Sequence, residues 1–304
     1  MDNLPSRQAP SPTMRTNLVD NILLLKILSD CAAACADRGI PLLAIKGVAF
    51  LGREYPDLSQ RRMTDIDLLV RRSDFDRAER ILLDLGGTRA RDDNALHQDS
   101  YERLFHVTAG GFRVAIDLHH AVAHPQAFPI DYERVFAEAE GHPLEDLHRA
   151  GVQRPSPGHS LLILALHQLY DAFPGDDRNF HDAQRVLESN RVDPRRLAAD
   201  ADRWGARSVL HFFLARGGAL GIVRDPGPLI AELPVSRLRR GAMRVVLDPV
   251  RPDPFRVRLR SKRARQVVLF YLFCHRLRAA VGFPLHILRL QAAGWLRRLA
   301  RPAD

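Results

Sequence analysis

The sequence predicts an α+β fold: a small mixed β-sheet with flanking helices, followed by a mostly α-helical second half. Two observations lead there. Short strand-like apolar runs, at residues 41–46, 64–70, 101–108 and 112–119, alternate with helical periodicities up to about residue 150. Beyond Pro155-Ser156-Pro157-Gly158, which turn chemistry marks as a domain boundary, the apolar spacing is helical. A third observation sets the scale: 304 residues with 46% hydrophobic and 27% charged content suit one large globular domain or two.

In order along the chain, residues 16–38 carry Leu18, Ile22, Leu25, Ile27 and Leu28 at helical spacing, and Gly39 with Pro41 supplies the stop. Residues 41–46 form the first strand, and 48–53 continue as a short helix. Tyr55-Pro56-Asp57 opens a loop to Arg62, and 64–70 is the second strand. Ser73 is a good N-cap for a helix with Phe75, Ala78, Ile81, Leu82 and Leu85 on its apolar side, closed by Gly86-Gly87. Residues 89–99 are polar and read as a loop. The runs 101–108 and 112–119 flank Ala109-Gly110-Gly111, a hairpin pattern. Helices are expected at 160–171, 182–189, 194–204, 206–220 and 228–231.

This divides the chain into a disordered leader (1–15), a first domain (16–150), a helical domain (158–250) and a basic amphipathic helical tail (254–304). The tail holds twelve Lys/Arg and one acid, whereas the other 253 residues hold 33 Lys/Arg against 35 Asp/Glu. The overall net charge of +9 therefore belongs to the tail. Apolar residues and Trp295 interleave with its arginines, which suits an anionic membrane surface; RNA and a solvated helix pair are the alternatives. Its longest apolar run, 267–274, is far short of the roughly 20 residues of a membrane span. The N-terminus lacks an apolar signal core, and Cys31, Cys35 and Cys274 have no zinc-like spacing. A cytoplasmic protein, peripheral at the inner membrane face through its tail, is the expectation.

The chemistry concentrates in residues 42–70. Asp65 and Asp67 stand at i and i+2 of a strand and so share one face, among Ile66, Leu68, Leu69 and Val70. Two like charges on a buried strand need a compensating cation, and hard carboxylate oxygens favour Mg2+. A third carboxylate, Asp117, lies within the apolar frame of the later hairpin strand, and His119 follows it on the same face. Lys46-Gly47 closes the first strand, where a missing side chain would admit a phosphate to backbone N–H groups. Arg61 is a candidate clamp, and His167 and Asp182 are candidates for the facing wall, although a structural role is the stronger reading for both. Salt bridges to the many arginines are the competing account of the three acids.

Lys46-Gly47, Asp65-Ile66-Asp67 and Asp117 together resemble the DNA-polymerase-β-type nucleotidyltransferase superfamily. The wording IKGVAFLGREYP, RRMTDIDLLV and IDLHH, with an all-helical second half, is closer still to its uncharacterised nucleotidyltransferase family. The chain departs from the superfamily pattern in having Lys46-Gly47-Val48 where Gly-Ser or Gly-Gly is usual. It also has seventeen residues between Gly47 and Asp65, a longer gap than usual. The resemblance implies a nucleotidyltransferase core and Mg2+-dependent transfer of an NMP group from an NTP to an acceptor hydroxyl, with release of pyrophosphate. It further implies that Asp65, Asp67 and Asp117 are catalytic and hold two metal ions, and that Lys46 and Gly47 bind the nucleotide. By position, Arg61 is either a clamp on the nucleotide's triphosphate or a solvated loop arginine, and His119 stands behind the metal, approaches the acceptor or serves structure alone. The acceptor (protein, small molecule or RNA) is left open. The alternative is a non-catalytic nucleotide- or protein-binding accessory factor in a biosynthetic or surface-polymer system.

Overall fold

The computed structural model describes residues 12–90, 101–109, 111–125, 127–170, 177–248 and 262–273. Seven strands form one mixed sheet: β1 (Leu42–Ile45), β2 (Asp65–Leu69), β3 (Thr88–Arg89), β4 (Glu102–Ala109), β5 (Phe112–His119), β6 (Glu140–Gly141) and β7 (Val152–Arg154). Their order is β3-β4-β5-β2-β1-β7-β6. The hairpin β4–β5 is antiparallel, whereas β5 lies parallel to β2, with Asp65 opposite Ala115 and Asp67 opposite Asp117. Strand β1 runs antiparallel to β2, so its C-terminal residue Ile45 faces Asp67. This register carries the Lys46-Gly47 turn to the carboxylate end of β2.

The strands expected at 41–46, 64–70, 101–108 and 112–119 are all present within a residue or two of their predicted limits. Strands β3, β6 and β7 were not expected; at two or three residues they are too short to show a period of two. In place of the short helix at 48–53, a 3-10 turn spans Lys46–Phe50.

Helix α1 (Pro12–Ala36) begins four residues before the expected start, inside the stretch read as leader. Its core face is Leu24, Ile27, Leu28, Cys31, Ala32 and Cys35, and Asn21 shares it with no exposure. Ile22, expected to face inward, lies about 100° round the helix from Asn21 and is 51% exposed. Helix α2 (Phe75–Asp84) buries Phe75, Ala78, Ile81 and Leu82, the predicted set without Leu85. The second half is helical as expected, with Pro157–Tyr170, Arg178–Ser189, Pro194–Arg203, Arg207–Ala219 and Gly227–Ala231 at the predicted places; Arg237–Val246 is a further helix that was not expected. Of the basic tail, only the helix Lys262–Phe273 lies within the described residues. The greater part of the expected polar loop at 89–99 lies outside them.

One hydrophobic cluster runs from Leu24 through the sheet to Phe273, so the two halves share a core. Polar links reinforce that union. Arg154 pairs with Glu54 at 2.6 Å with both side chains buried, and Asn190 of the helical half donates to the same Glu54 at 2.9 Å. No helix among the described residues is long and apolar enough to cross a membrane.

Candidate active site

Period two on β2 sends Ile66 and Leu68 to one face and Asp65, Asp67 and Leu69 to the other; β5 places Ala115, Asp117 and His119 alongside. Asp67 is buried, and its Oδ1 forms an ion pair with Lys46 Nζ and lies 3.1 Å from His119 Nε2. The other ring nitrogen of His119, Nδ1, faces Glu102 Oε2 at 3.3 Å. Burial alone would raise the Asp67 pKa, but the Lys46 ammonium and His119 outweigh it and hold the carboxyl well below the usual range. Burial likewise opposes the Lys46 charge; Asp67, Asp117 and Asp65 together overcome it and push its pKa up. For Asp117 burial comes first and the Asp67 charge second, and together they outweigh the opposing pull of His119 and Lys46 and push its pKa up to about 6.

Lys46 reaches this position through a left-handed backbone, φ 54°, which costs a non-glycine residue roughly 1–2 kcal/mol. Gly47, by contrast, has no positive φ. Its missing side chain makes room for Met63 and Arg61: a Cβ there would come within 2.8 Å of Met63 Cε and 3.1 Å of Arg61 Nη2. The loop bearing Met63 and Arg61 is tied to α1 by Asn21, which donates to the carbonyls of Leu58 and Arg61 and accepts from Met63 N–H.

Arg61 faces Asp182 of the helical half in a two-pronged pair, with both contacts at 2.9 Å, and Tyr55 donates to the same carboxylate at 2.8 Å. The Asp182 side chain is 1% exposed. The predicted phosphate clamp is thus already engaged in joining the two halves, and Asp182 belongs to that junction rather than to open cleft wall.

Lys46, Gly47, Arg61, Met63, Thr64, Asp65, Asp67 and Asp117 line a cavity of ≈ 170 Å³, faced by His167, Gln168, Arg178 and Asn179. Sequence reasoning named His167 but not Gln168, Arg178 or Asn179, and it missed Glu102 beside His119. Among the described residues, the group able to hold a metal ion is Asp67, Asp117 and His119, whose ligand atoms lie within 4.8 Å of one another. Asp65 lines the same cavity outside that group, accepting a hydrogen bond from Thr64 Oγ1 at 3.1 Å. Two carboxylates with a nearby imidazole suit Mg2+ or Mn2+, and the Lys46 ammonium marks where this site accommodates positive charge.

Two solved structures resemble the chain. One is the antibiotic-resistance factor ANT(2'')-Ia, at 19% identity over 66% of this chain and 96% of that one, with a TM-score of 0.38. The other is the Thermotoga maritima CCA-adding enzyme complexed with tRNA, at 13% identity over 92% and 86%, with a TM-score of 0.23. No curated protein matches. The family described as "Uncharacterised nucleotidyltransferase" matches residues 5–216, more than half of the sequence, and the chain belongs to that family.

Proposed function

We propose that the protein moves an NMP group from an NTP to an acceptor hydroxyl with release of pyrophosphate, using divalent metal, Mg2+ first among candidates. The observation that carries this reading is Asp67 and Asp117 at the same level of adjacent parallel strands, facing a cavity that already holds a cationic Nζ. Asp67 and Asp117 would hold the metal, with His119 fixing Asp67 from behind and Asp65 as the further carboxylate of a second ion. Bound there, the metal would polarise the α-phosphoryl group and stabilise the leaving pyrophosphate.

The chain's own residues do the rest. Lys46, which pairs with Asp67 here, would be free to contact the phosphates when a cation is held by the carboxylates. The Arg61–Asp182 pair keeps the sheet and the helical wall in register. The acceptor is a hydroxyl on a protein, a small molecule or RNA. For the basic tail we propose contact with an anionic membrane surface, tested by vesicle co-sedimentation of the full chain and of a chain truncated after Pro254.

Thermal-shift titration with each NTP, with and without Mg2+, followed by assay of pyrophosphate release, tests the reading. Metal-dependent NTP stabilisation and release, both lost in Asp67→Asn, support it. The second reading, a nucleotide-binding accessory factor without turnover, draws on one observation: Lys46 forms an ion pair with Asp67 within the chain. Stabilisation by NTP with no pyrophosphate under any acceptor mixture favours it.

A further inference from the structure

The helical wall of the cleft carries a polar feature that the transfer chemistry does not use. Gln168 sits in the helix Pro157–Tyr170, a largely apolar segment, and is 1% exposed. Asn179, half-buried in the first turn of the helix Arg178–Ser189, donates from Nδ2 to Gln168 Oε1 at 2.6 Å. Gln168 Nε2 is buried and has no hydrogen-bond partner among the described residues. A buried amide donor left unpaired is costly, and this one belongs to a residue lining the cavity opposite Asp65, Asp67 and Asp117.

We infer that Gln168 and Asn179 form a subsite for the base of the nucleotide, a conclusion that rests on the reading of the cleft as an NTP site. Linked through one hydrogen bond, the two amides present one donor, Gln168 Nε2, and one acceptor, Asn179 Oδ1. The hydrogen-bonding edge of each of the four common bases offers an adjacent acceptor and donor, which satisfies both. If both amides turn over together, their mutual hydrogen bond is kept and the outward donor and acceptor exchange places. The pair therefore grips a base edge of either polarity without selecting amino from keto bases. The cavity has room for part of a nucleotide, and the remainder lies in its open mouth.

The test is calorimetric titration of wild type, Gln168→Met and Asn179→Ala with ATP, CTP, GTP, UTP and inorganic tripolyphosphate, each with Mg2+. Circular dichroism melts establish that each variant is folded. Gln168→Met preserves volume in an apolar setting, and Asn179→Ala alters a half-exposed side chain, so a folding failure in one leaves the other as the test. Expected is a loss of about tenfold in affinity for all four NTPs, with tripolyphosphate binding unchanged. Unchanged NTP affinity, or an equal loss for NTPs and tripolyphosphate, overturns the subsite. Failure of wild type to bind any NTP or tripolyphosphate with Mg2+ refutes instead the underlying reading of the cleft.

Discussion

Replacing Asp67 by asparagine separates two effects of opposite sign. Asp67 lies beside Asp117, and relief of that repulsion would stabilise the metal-free protein. It also pairs with Lys46 and His119 where the Lys46 side chain is 14% and the Asp67 side chain 8% exposed. The depressed pKa of Asp67 shows which effect wins: the charged form is favoured in the folded state despite burial and Asp117. Removing one partner of a buried pair costs about 3–5 kcal/mol. Asparagine keeps a hydrogen-bond acceptor, and Asp65 and Asp117 still attract Lys46, so the low end, about 3 kcal/mol, is expected. Lys46→Met strands Asp67 beside Asp117 and should cost a similar amount. The double variant should cost less than the sum by about 1–3 kcal/mol, because the second change removes the charge that the first left unpaired.

The assay is urea denaturation in metal-free buffer, followed by circular dichroism across the double-mutant cycle. Asp67→Asn at or above wild-type stability, or additivity within about 0.5 kcal/mol, would refute the argument. Added Mg2+ supplies a second arm. In wild type the ion competes with the Lys46 ammonium, whereas in Lys46→Met it meets open carboxylates. The melting midpoint of Lys46→Met should therefore rise more with Mg2+ than that of wild type, by mass action on the folded state.

Three further outcomes are expected. His142 accepts from Leu144 N–H at Nδ1 and faces Val48 O from Nε2, which places the proton on Nε2; burial moves its pKa from 6.5 down to about 4. Between those values the unfolded chain binds a proton that the folded chain refuses, so stability falls with falling pH, by up to about 3 kcal/mol. His142→Gln, which can make both contacts without titrating, should flatten that slope, and an unchanged slope counts against the assignment. Asp182→Asn should lower stability by about 3 kcal/mol in urea titration, by unpairing Arg61 at the junction; a loss under 1 kcal/mol would show the pair to be dispensable. Gly47→Val should cost about 1–3 kcal/mol, by driving Met63 and Arg61 aside. An unchanged denaturation midpoint would refute the close packing, and NTP affinity should fall in the same variant.

What could be read from residues alone follows from how far each interaction reaches. Alternation on β2 and β5 is local, so Asp65, Asp67, Asp117 and His119 could be assigned to strand faces before any fold was known. The parallel pairing that sets Asp67 level with Asp117 spans fifty residues, and no local periodicity specifies it. Lys46 was identifiable as a candidate, but its grip on Asp67 depends on a left-handed backbone that a lysine seldom adopts and a sequence does not announce. Arg61 reads as a phosphate clamp from the sequence because its partner Asp182 is 121 positions away. Gln168 interrupts the apolar run of its helix, and the sequence marks that interruption without showing what the amide faces.

Two ion pairs of this cleft are already made within the chain, Lys46 with Asp67 and Arg61 with Asp182, whereas the Gln168 donor has no partner among the described residues. A ligand entering the cleft must therefore displace one ionic contact, at Asp67, while it can satisfy a neutral one, at Gln168. Phosphate and metal binding should accordingly weaken with rising salt, because they exchange charged partners, while the base contact should hold. Affinities measured for NTP and tripolyphosphate at two ionic strengths give the check: the ratio between them should be the quantity that salt leaves unchanged.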